Sequence, residues 1–440
     1  MKGTCRMPYE VCGELVLTPG GPKHNYSVAV DGNRIIDVGR TAEIRKKYKF
    51  SKSMGGKGFA VTPSFVDAHM HSFQVATKGR TSDKSLLEWL KKYIWKWEGE
   101  MGRKQARACA ELAYTQLIRC GVATVSDYTS VRYADEAIKA AVKLGVRGLI
   151  GKTMMDRRSP PELLEGTDAS LRETESLIRK YNGAGGGRIR YGVTPRFAIT
   201  CSEELMLGAK ELCGKYNVMF RTHANENREE VKTDKKILGT TSVTYLHRLG
   251  ILGPNTQLTH CIWLTPGGFS ILKKTNTKVV HCPGSNMLLA SGVANVPRML
   301  REGIEVGLGS DVAAYYNVGP FEQMRLACLM QKVNTRNPTA LSHNSAFSIA
   351  TEGGNKVMGI QDAGKIQKGY LADLALISIK RLAYFPLNDL VAQIVYSAYP
   401  SSVHTLICNG EILMENRKVL TIDEEKLKDR VKDNLGGIFS

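Results

Sequence analysis

The sequence lacks the features of a disulfide scaffold, a secreted precursor and a membrane protein. It contains ten cysteines but no Cys-x-x-Cys pair, and several cysteines lie in apolar or helical stretches. That usage is typical of reduced, buried thiols in a cytosol. No stretch resembles a signal peptide, and no window reaches about 18 consecutive apolar residues. We therefore expect a soluble cytoplasmic protein.

Acidic residues are few relative to basic ones. The chain contains 61 Lys and Arg but only 42 Asp and Glu, which gives a formal net charge of +19. Such an excess can attract nucleic acid or an anionic membrane. However, the basic residues are spread along the chain, and dense runs such as 45–52 lack the aromatic interleaving of a nucleic-acid groove. We favour a basic surface with no membrane or nucleic-acid partner, and RNA binding stays the alternative.

Both ends of the chain show the same sequence pattern, which predicts short strands joined by tight turns. Asp31-Gly32-Asn33 separates two apolar runs near the start, and Asn409-Gly410 does the same near the end. Both are strong hairpin signals. We predict one small β-sandwich domain that both termini build together, from residues 1–60 and 364–440.

The middle of the chain, residues 61–363, alternates short apolar segments with longer helical patterns. Repeated βα units with apolar strands predict a parallel sheet, and eight of them predict a closed (β/α)₈ TIM-like barrel. The eight predicted strands are 61–68, 123–126, 147–150, 189–193, 218–222, 257–259, 278–280 and 305–308.

Histidines concentrate at the predicted strand ends, where the catalytic groups of such a barrel lie. His69 and His71 close the first strand, and residues two apart on a strand point to the same face. Both can therefore bind one metal ion, and imidazole is a good zinc ligand. Five of the nine histidines, and one aspartate, end a strand in this way: His69, His71, His223, His260, His281 and Asp311.

Glu226 follows His223 by three residues, on the loop or first helical turn after the fifth strand. There it could lie near a metal-activated water without binding the metal; the alternative is a solvated glutamate at a helix start. The fourth strand ends near Thr194-Pro195-Arg196, without a lysine that could bridge two metals. This absence favours a single metal ion. Lys152, after the third strand, is either structural or a substrate contact.

The His69-x-His71, His223, His260 and Asp311 set resembles the amidohydrolase superfamily, in its mononuclear zinc deaminase branch. The resemblance covers essentially the whole chain. It implies one Zn²⁺ held by His69, His71, His223 and Asp311, although Fe²⁺ or Mn²⁺ can use such ligands. It also implies a homodimer.

The resemblance further implies hydrolytic release of ammonia from an aminated ring. Zinc lowers the pKa of a bound water from about 15.7 towards roughly 7. Asp311 would accept a proton from this water, and Glu226 would carry a proton to the ring nitrogen. His260 would polarise the attacking oxygen and stabilise the tetrahedral intermediate.

Several segments are most similar to guanine deaminases, including the stretches around Gln74, Arg196 and His223. That similarity implies that Gln74 and Arg196 contact a purine, with Arg196 at the C6 carbonyl, and that Phe197 stacks on the ring. Guanine would then yield xanthine and ammonia. His281 is interpreted as a substrate contact or as support for the metal ligands.

Three alternatives stay open. Residues 320–326 are closer to relatives that act on methylthioadenosine, S-adenosylhomocysteine or triazines. A non-catalytic scaffold on the same fold should lack the metal ligands that this chain retains. The aromatic segment 86–97 should lie over the barrel mouth as a lid, a pocket wall or a dimer surface, or be an ordinary packing helix. The cytidine-deaminase type is excluded, because its HxE…PCxxC pattern is missing.

Overall fold

The computed structural model describes residues 7–79, 83–312 and 314–435. The first six and last five residues of the predicted terminal domain thus lie outside the described residues. The strands are β1 Tyr9–Thr18, β2 Gly21–Asp31, β3 Arg34–Arg40, β4 Ser53–Pro63, β5 Phe65–Met70, β6 Val122–Tyr128, β7 Arg147–Gly151, β8 Thr153–Met154, β9 Ile189–Pro195, β10 Met219–Ala224, β11 Thr256–His260, β12 Lys278–His281, β13 Val306–Leu308, β14 Leu374–Ser378, β15 Val403–Cys408, β16 Glu411–Glu415 and β17 Lys418–Val419.

The helices are α1 Thr41–Lys47, α2 Leu86–Trp89, α3 Trp95–Glu100, α4 Arg103–Arg119, α5 Ala134–Leu144, α6 Thr167–Tyr181, α7 Glu203–Tyr216, α8 Arg228–Leu238, α9 Ser242–Arg248, α10 Pro266–Thr275, α11 Pro283–Leu288, α12 Val296–Arg301, α13 Pro320–Thr335, α14 His343–Ile349, α15 Glu352–Val357, α16 Leu390–Ser397 and α17 Glu424–Leu435. A π-helical stretch, Leu90–Ile94, joins α2 to α3. Among the described residues, none of the helices combines the length and apolar character that a membrane crossing requires.

The predicted barrel is confirmed. Its parallel strands follow the order β13-β12-β11-β10-β9-β7-β6-β5. Backbone hydrogen bonds then bring the two end strands together, with the amide of Asp311 donating to the carbonyl of His69 at 2.9 Å. Each of the eight predicted segments overlaps one barrel strand.

The first predicted strand, 61–68, is in fact two strands that meet at Ser64. The part before Ser64 is the end of β4, which pairs with β14 in the terminal sheet. The part after it is β5, the first barrel strand. Pro63 has no amide hydrogen, and the amide of Ser64 donates to the carbonyl of Asp373, so the chain changes sheets at this point.

Both termini build one eight-stranded sheet in the order β17-β16-β15-β14-β4-β1-β2-β3. The two predicted hairpin turns touch each other. A Cβ on Gly410, whose φ is +75°, would lie 1.9 Å from the carbonyl oxygen of Gly32, so only glycine fits there. Arg147, at the start of β7, is buried against Asp373 and fastens the barrel to this sheet.

The aromatic segment 86–97 lies over the carboxyl ends of the barrel strands. Its buried side chains form a cluster with residues that follow different strands, including Met155, Phe197 and Leu289. The segment therefore covers the barrel mouth, as its position directly after the first strand predicted.

The described cysteines are free and buried, in agreement with the expected reduced thiols. Lys152 is also buried, and its ammonium contacts Glu165 and Glu173 at 2.5 and 2.8 Å. In this structure Lys152 therefore has a structural role.

Candidate active site

Four predicted metal ligands from three distant segments meet at the barrel mouth. His69 and His71 come from β5, His223 from β10, and Asp311 follows β13. His71 Nε2 lies 3.2 Å from His223 Nε2, and His69 Nε2 lies 3.2 Å from Asp311 Oδ1. His71 Nε2 is 3.7 Å from the same carboxylate oxygen. All four side chains are buried.

The protons of two of these imidazoles are fixed by backbone carbonyls. His71 Nδ1 donates to the carbonyl of Tyr128 at 2.6 Å, and His223 Nδ1 donates to the carbonyl of Arg196 at 2.8 Å. The two Nε2 atoms therefore face each other as lone pairs and cannot hydrogen-bond to one another. Two nitrogen ligands at about 2.0–2.1 Å from a tetrahedral zinc lie a little over 3 Å apart. The donor set thus fits one cation.

Burial and neighbouring charge keep these ligands in their metal-binding forms. Burial lowers the pKa of His71 and of His223 well below the usual range, and the electrostatic interaction with His69 lowers both further. Burial alone would raise the pKa of Asp311, but the hydrogen bond to His69 and the electrostatic interaction with it hold this pKa well below its usual value. Neutral imidazoles beside an ionised carboxylate are what a divalent cation requires.

The backbone is strained where two of the functional side chains leave their strands. His260 and Asp311 have φ angles of +73° and +53°, in the left-handed region that is uncommon for residues other than glycine, although aspartate and histidine adopt it more often than most. Unfavourable backbone angles of this kind cluster at functional sites, where the surrounding structure holds them in place.

His260 and Glu226 lie beside the ligand set, and His260 with His69 and Asp311 also forms a buried group that could hold a metal ion. His260 Nε2 is 3.7 Å from Glu226 Oε2 and 3.9 Å from Asp311 Oδ2. Its Nδ1 is 3.0 Å from the side-chain oxygen of Asn286, which fixes the ring. Burial raises the pKa of Glu226 well above its usual value, and the charges of Asp311 and Glu230 add to this effect. A carboxyl group with a raised pKa suits proton transfer near neutral pH.

Gln74 and Arg196 meet at a carboxylate that the sequence did not single out. Glu98 is fully buried, and it receives hydrogen bonds from Arg196 Nη1 at 2.6 Å and from Arg196 Nη2 at 3.2 Å. Gln74 Nε2 donates to the same group at 2.7 Å, and so does Ser130 Oγ at 3.1 Å. The only sequence signal for Glu98 was its place at the end of the aromatic segment over the mouth.

Three side chains predicted to contact the substrate keep buried polar atoms without a protein partner. These atoms are Gln74 Oε1, Arg196 Nε and both ring nitrogens of His281. Buried polar groups are normally satisfied, so such atoms suit contacts to a bound polar molecule. Burial lowers the pKa of His281 to about 3, so its ring is neutral. Phe197 stacks on His223 at 4.7 Å, and its contact with a substrate stays a prediction.

Comparison with known proteins identifies the family of this fold and site. Residues 60–413 match the amidohydrolase family. The chain belongs to the amidohydrolase family. A 5'-deoxyadenosine deaminase from Methanosphaera stadtmanae is 34% identical over 91% of this chain and 92% of its own length. A 5-methylthioadenosine/S-adenosylhomocysteine deaminase from Pelotomaculum thermopropionicum is 33% identical over 94% and 95% of the two chains.

Solved structures share the fold of this chain. An adenosine deaminase from Xanthomonas campestris with bound zinc superposes with a TM-score of 0.92 at 23% identity, over 98% of both chains. Escherichia coli guanine deaminase gives a TM-score of 0.86 at 25% identity, over 92% of this amidohydrolase and 99% of that chain. The family expected from the histidine pattern is therefore confirmed.

Proposed function

We propose that this amidohydrolase removes the 6-amino group of a 5'-modified adenine nucleoside by hydrolysis, releasing ammonia. The observation that carries the proposal is the similarity to 5'-deoxyadenosine and methylthioadenosine/S-adenosylhomocysteine deaminases at 33–34% identity over more than nine-tenths of the chain. These relatives favour the adenine-nucleoside alternative from the sequence over guanine.

The site residues supply the parts that such a hydrolysis needs. His69, His71, His223 and Asp311 would hold the divalent ion, which when bound lowers the pKa of a water molecule. Glu226 takes a proton from the attacking water and delivers it to the ring nitrogen beside the amino-bearing carbon, which neutralises charge in the transition state. The second proton of the water passes through Asp311 to the amino group, the C–N bond breaks, and ammonia leaves as a ring carbonyl forms in place of the amine.

His260 orients the water for attack. Burial lowers its pKa to about 4, so the ring is neutral at physiological pH. With Nδ1 directed at the oxygen of Asn286, Nε2 presents a lone pair to the space between Glu226 and Asp311. There it can accept a hydrogen from the water and polarise the attacking oxygen.

The environment of Arg196 is also compatible with a nucleoside substrate. Both of its terminal nitrogens are bound to Glu98, and its buried Nε has no protein partner and can donate to a substrate carbonyl. A carboxylate accepts hydrogen bonds and cannot donate one to the C6 carbonyl of guanine. Glu98 therefore suits a hydrogen-bond donor of the substrate, such as the two hydroxyls of a ribose or an N–H group of a purine base.

Guanine is the second candidate. The free atoms of Gln74 and Arg196 suit the polar edge of a purine base, and the E. coli guanine deaminase shares the fold across 92% of this chain. Under this alternative Arg196 Nε donates to the C6 carbonyl, as the sequence resemblance implied.

Ammonia release from a substrate panel separates the candidates. The zinc-loaded enzyme is assayed with 5'-deoxyadenosine, methylthioadenosine, S-adenosylhomocysteine, adenosine, guanine and melamine, and kcat/KM is compared. We expect the highest value for a 5'-modified adenosine. A higher value for guanine would overturn the proposal in favour of the second candidate, and no ammonia from any of them would overturn both.

A further inference from the structure

Arg221 is a fully buried cation in the barrel interior, directly beneath the metal ligands. It lies on β10, two residues before His223, and its side chain is 0% exposed. Its hydrogen bonds end on neutral oxygens of three other strands: Ser126 Oγ at 2.9 Å, Leu149 O at 2.8 Å, Asp127 O at 3.2 Å, Thr194 Oγ1 at 2.8 Å and Gly192 O at 3.4 Å. Burying a charge without an ionic partner is costly, so an apolar residue would serve the core better.

The surroundings of Arg221 are shaped to admit its guanidinium. A Cβ on Gly192 would lie 2.2 Å from Arg221 Nε, so a side chain at that position would displace the group. The backbone of Gly192 lies within a regular strand, and its φ is not in the left-handed region. Space, rather than backbone conformation, is therefore what glycine provides here.

Tyr128 connects Arg221 to the metal ligands. The guanidinium lies over the Tyr128 ring at 4.4 Å, within cation–π range. The carbonyl of Tyr128 holds His71 Nδ1 at 2.6 Å, and its ring packs edge-on against His69 at 4.4 Å. The ring also contacts His223 at 5.2 Å. One residue thus touches all three histidine ligands.

A second path runs through the hydroxyl of Tyr128. This hydroxyl lies 3.2 Å from Thr259 Oγ1, which in turn lies 3.3 Å from His69 Nδ1. Because the ring is held on one side by Arg221 and on the other by the histidines, its position sets the orientation of His69, while the backbone carbonyl of the same residue orients His71.

We propose that Arg221 is a positioning residue for the metal site: it fixes Tyr128, and through Tyr128 it orients the histidine ligands. Groups that orient metal ligands are worth about 10–100-fold in metal affinity. The inference concerns metal binding, so it does not depend on which substrate the enzyme deaminates.

The test is zinc affinity, measured by competition with a chromophoric chelator, in the Arg221→Met variant. We expect its zinc Kd to rise about 10–100-fold. The cobalt-substituted protein should show altered visible absorption bands, because the ligands are reoriented. The matched control is Arg190→Met. Arg190 lies near the start of β9, at the end of the strand away from the barrel mouth. It also donates to backbone carbonyls, those of Met358 and Gly359. This control should keep the wild-type zinc Kd and cobalt spectrum.

A second variant tests the proposal independently if Arg221→Met does not fold. Gly192→Ala leaves Arg221 in the sequence but pushes its guanidinium away, so it should also weaken zinc binding. The double variant should bind zinc no more weakly than Arg221→Met alone, because both changes remove one interaction. Wild-type zinc Kd in a folded Arg221→Met or Gly192→Ala protein would overturn the proposal. So would an equal loss in Arg190→Met.

Discussion

The metal side of the candidate active site and its predicted substrate side differ in how the protein holds their functional side chains. On the metal side, His71 and His223 are each fixed by a backbone carbonyl, and His260 is fixed by Asn286. On the substrate side, Gln74 and His281 keep buried polar atoms without a partner. The protein alone thus orients these three imidazoles, whereas the free atoms of Gln74 and His281 suit contacts to a bound substrate.

This difference implies that the two sides have different roles: the metal side determines the type of reaction, and the other side determines which substrate is accepted. A fixed ligand set with one acid–base carboxylate defines hydrolytic chemistry for any ring that fits. The proposed function assigns the choice of substrate to the other side, where Glu98, Gln74 and Arg196 form a buried polar group under the segment 86–97. We therefore expect changes on the metal side to abolish turnover, and changes on the substrate side to alter KM and substrate preference.

The largest effect is expected from His223→Ala. Removing this imidazole takes away one metal ligand, so both zinc content and ammonia release should fall to background. Zinc per chain and turnover are measured on the same preparation. His247→Ala, at an exposed histidine on α9, is the control and should keep both. Full zinc occupancy in His223→Ala would contradict the assigned ligand set.

Glu226→Gln should give the next largest effect and separate proton transfer from metal binding. The amide cannot relay a proton, so kcat should fall by about 10²–10⁴-fold while zinc content stays at the wild-type level. Glu229→Gln, at an exposed neighbour, provides the matched control. Loss of zinc in Glu226→Gln would make Glu226 a ligand instead of an acid–base group.

Glu98→Gln tests the substrate side. The change removes the charge that holds Arg196 and Gln74, and hydrogen bonds to charged groups are worth about 1.5–3 kcal/mol. We expect KM for the best nucleoside to rise by about 10–100-fold, with zinc content unchanged and activity on free guanine less affected. The exposed Glu100 provides the control variant Glu100→Gln. If activity on the nucleoside and activity on guanine fell equally, the result would contradict a role for Glu98 in recognising the sugar.

The smallest expected effect concerns the carboxyl pair behind Glu226. Glu230 accepts the backbone amide of Glu226, and burial raises the pKa of both Glu230 and Asp234. A pKa that is raised on folding stabilises the fold at low pH, and this contribution is lost as pH rises through the folded-state pKa. The pKa of Glu230 is raised to about 8 and that of Asp234 to about 6, so the free energy of unfolding should fall from about pH 4, where the unfolded carboxyls ionise, to about pH 8. Asp234→Asn should reduce this fall by about 1 kcal/mol per pH unit between about pH 4 and 6. Urea titrations at several pH values measure it; an unchanged slope would show that the pair does not titrate as described.

The metal side was predictable from the sequence, because its ligands close strands whose ends must meet in a barrel. His69 and His71 share a face by spacing alone, and the strand-end rule places His223 beside them. The split at Ser64 was missed because a continuous apolar run does not show where a chain changes sheets. Pro63 was the available signal.

The substrate side and the supports were not predictable in this way. Glu98 reaches its partners through a helical segment that folds back over the mouth, and Tyr128 acts through a backbone carbonyl that any residue carries. In the sequence, nothing distinguishes Arg221 from the other basic residues of a chain that contains 61 Lys and Arg. Their roles depend on long-range packing, which local periodicity does not encode.

The most direct test of the account is the metal stoichiometry and ligation of the purified protein. Elemental analysis combined with X-ray absorption at the zinc edge should give one zinc per chain, bound by imidazole nitrogen and carboxylate oxygen without sulfur. A native protein that binds no stoichiometric metal, or whose zinc has cysteine ligands, would contradict it.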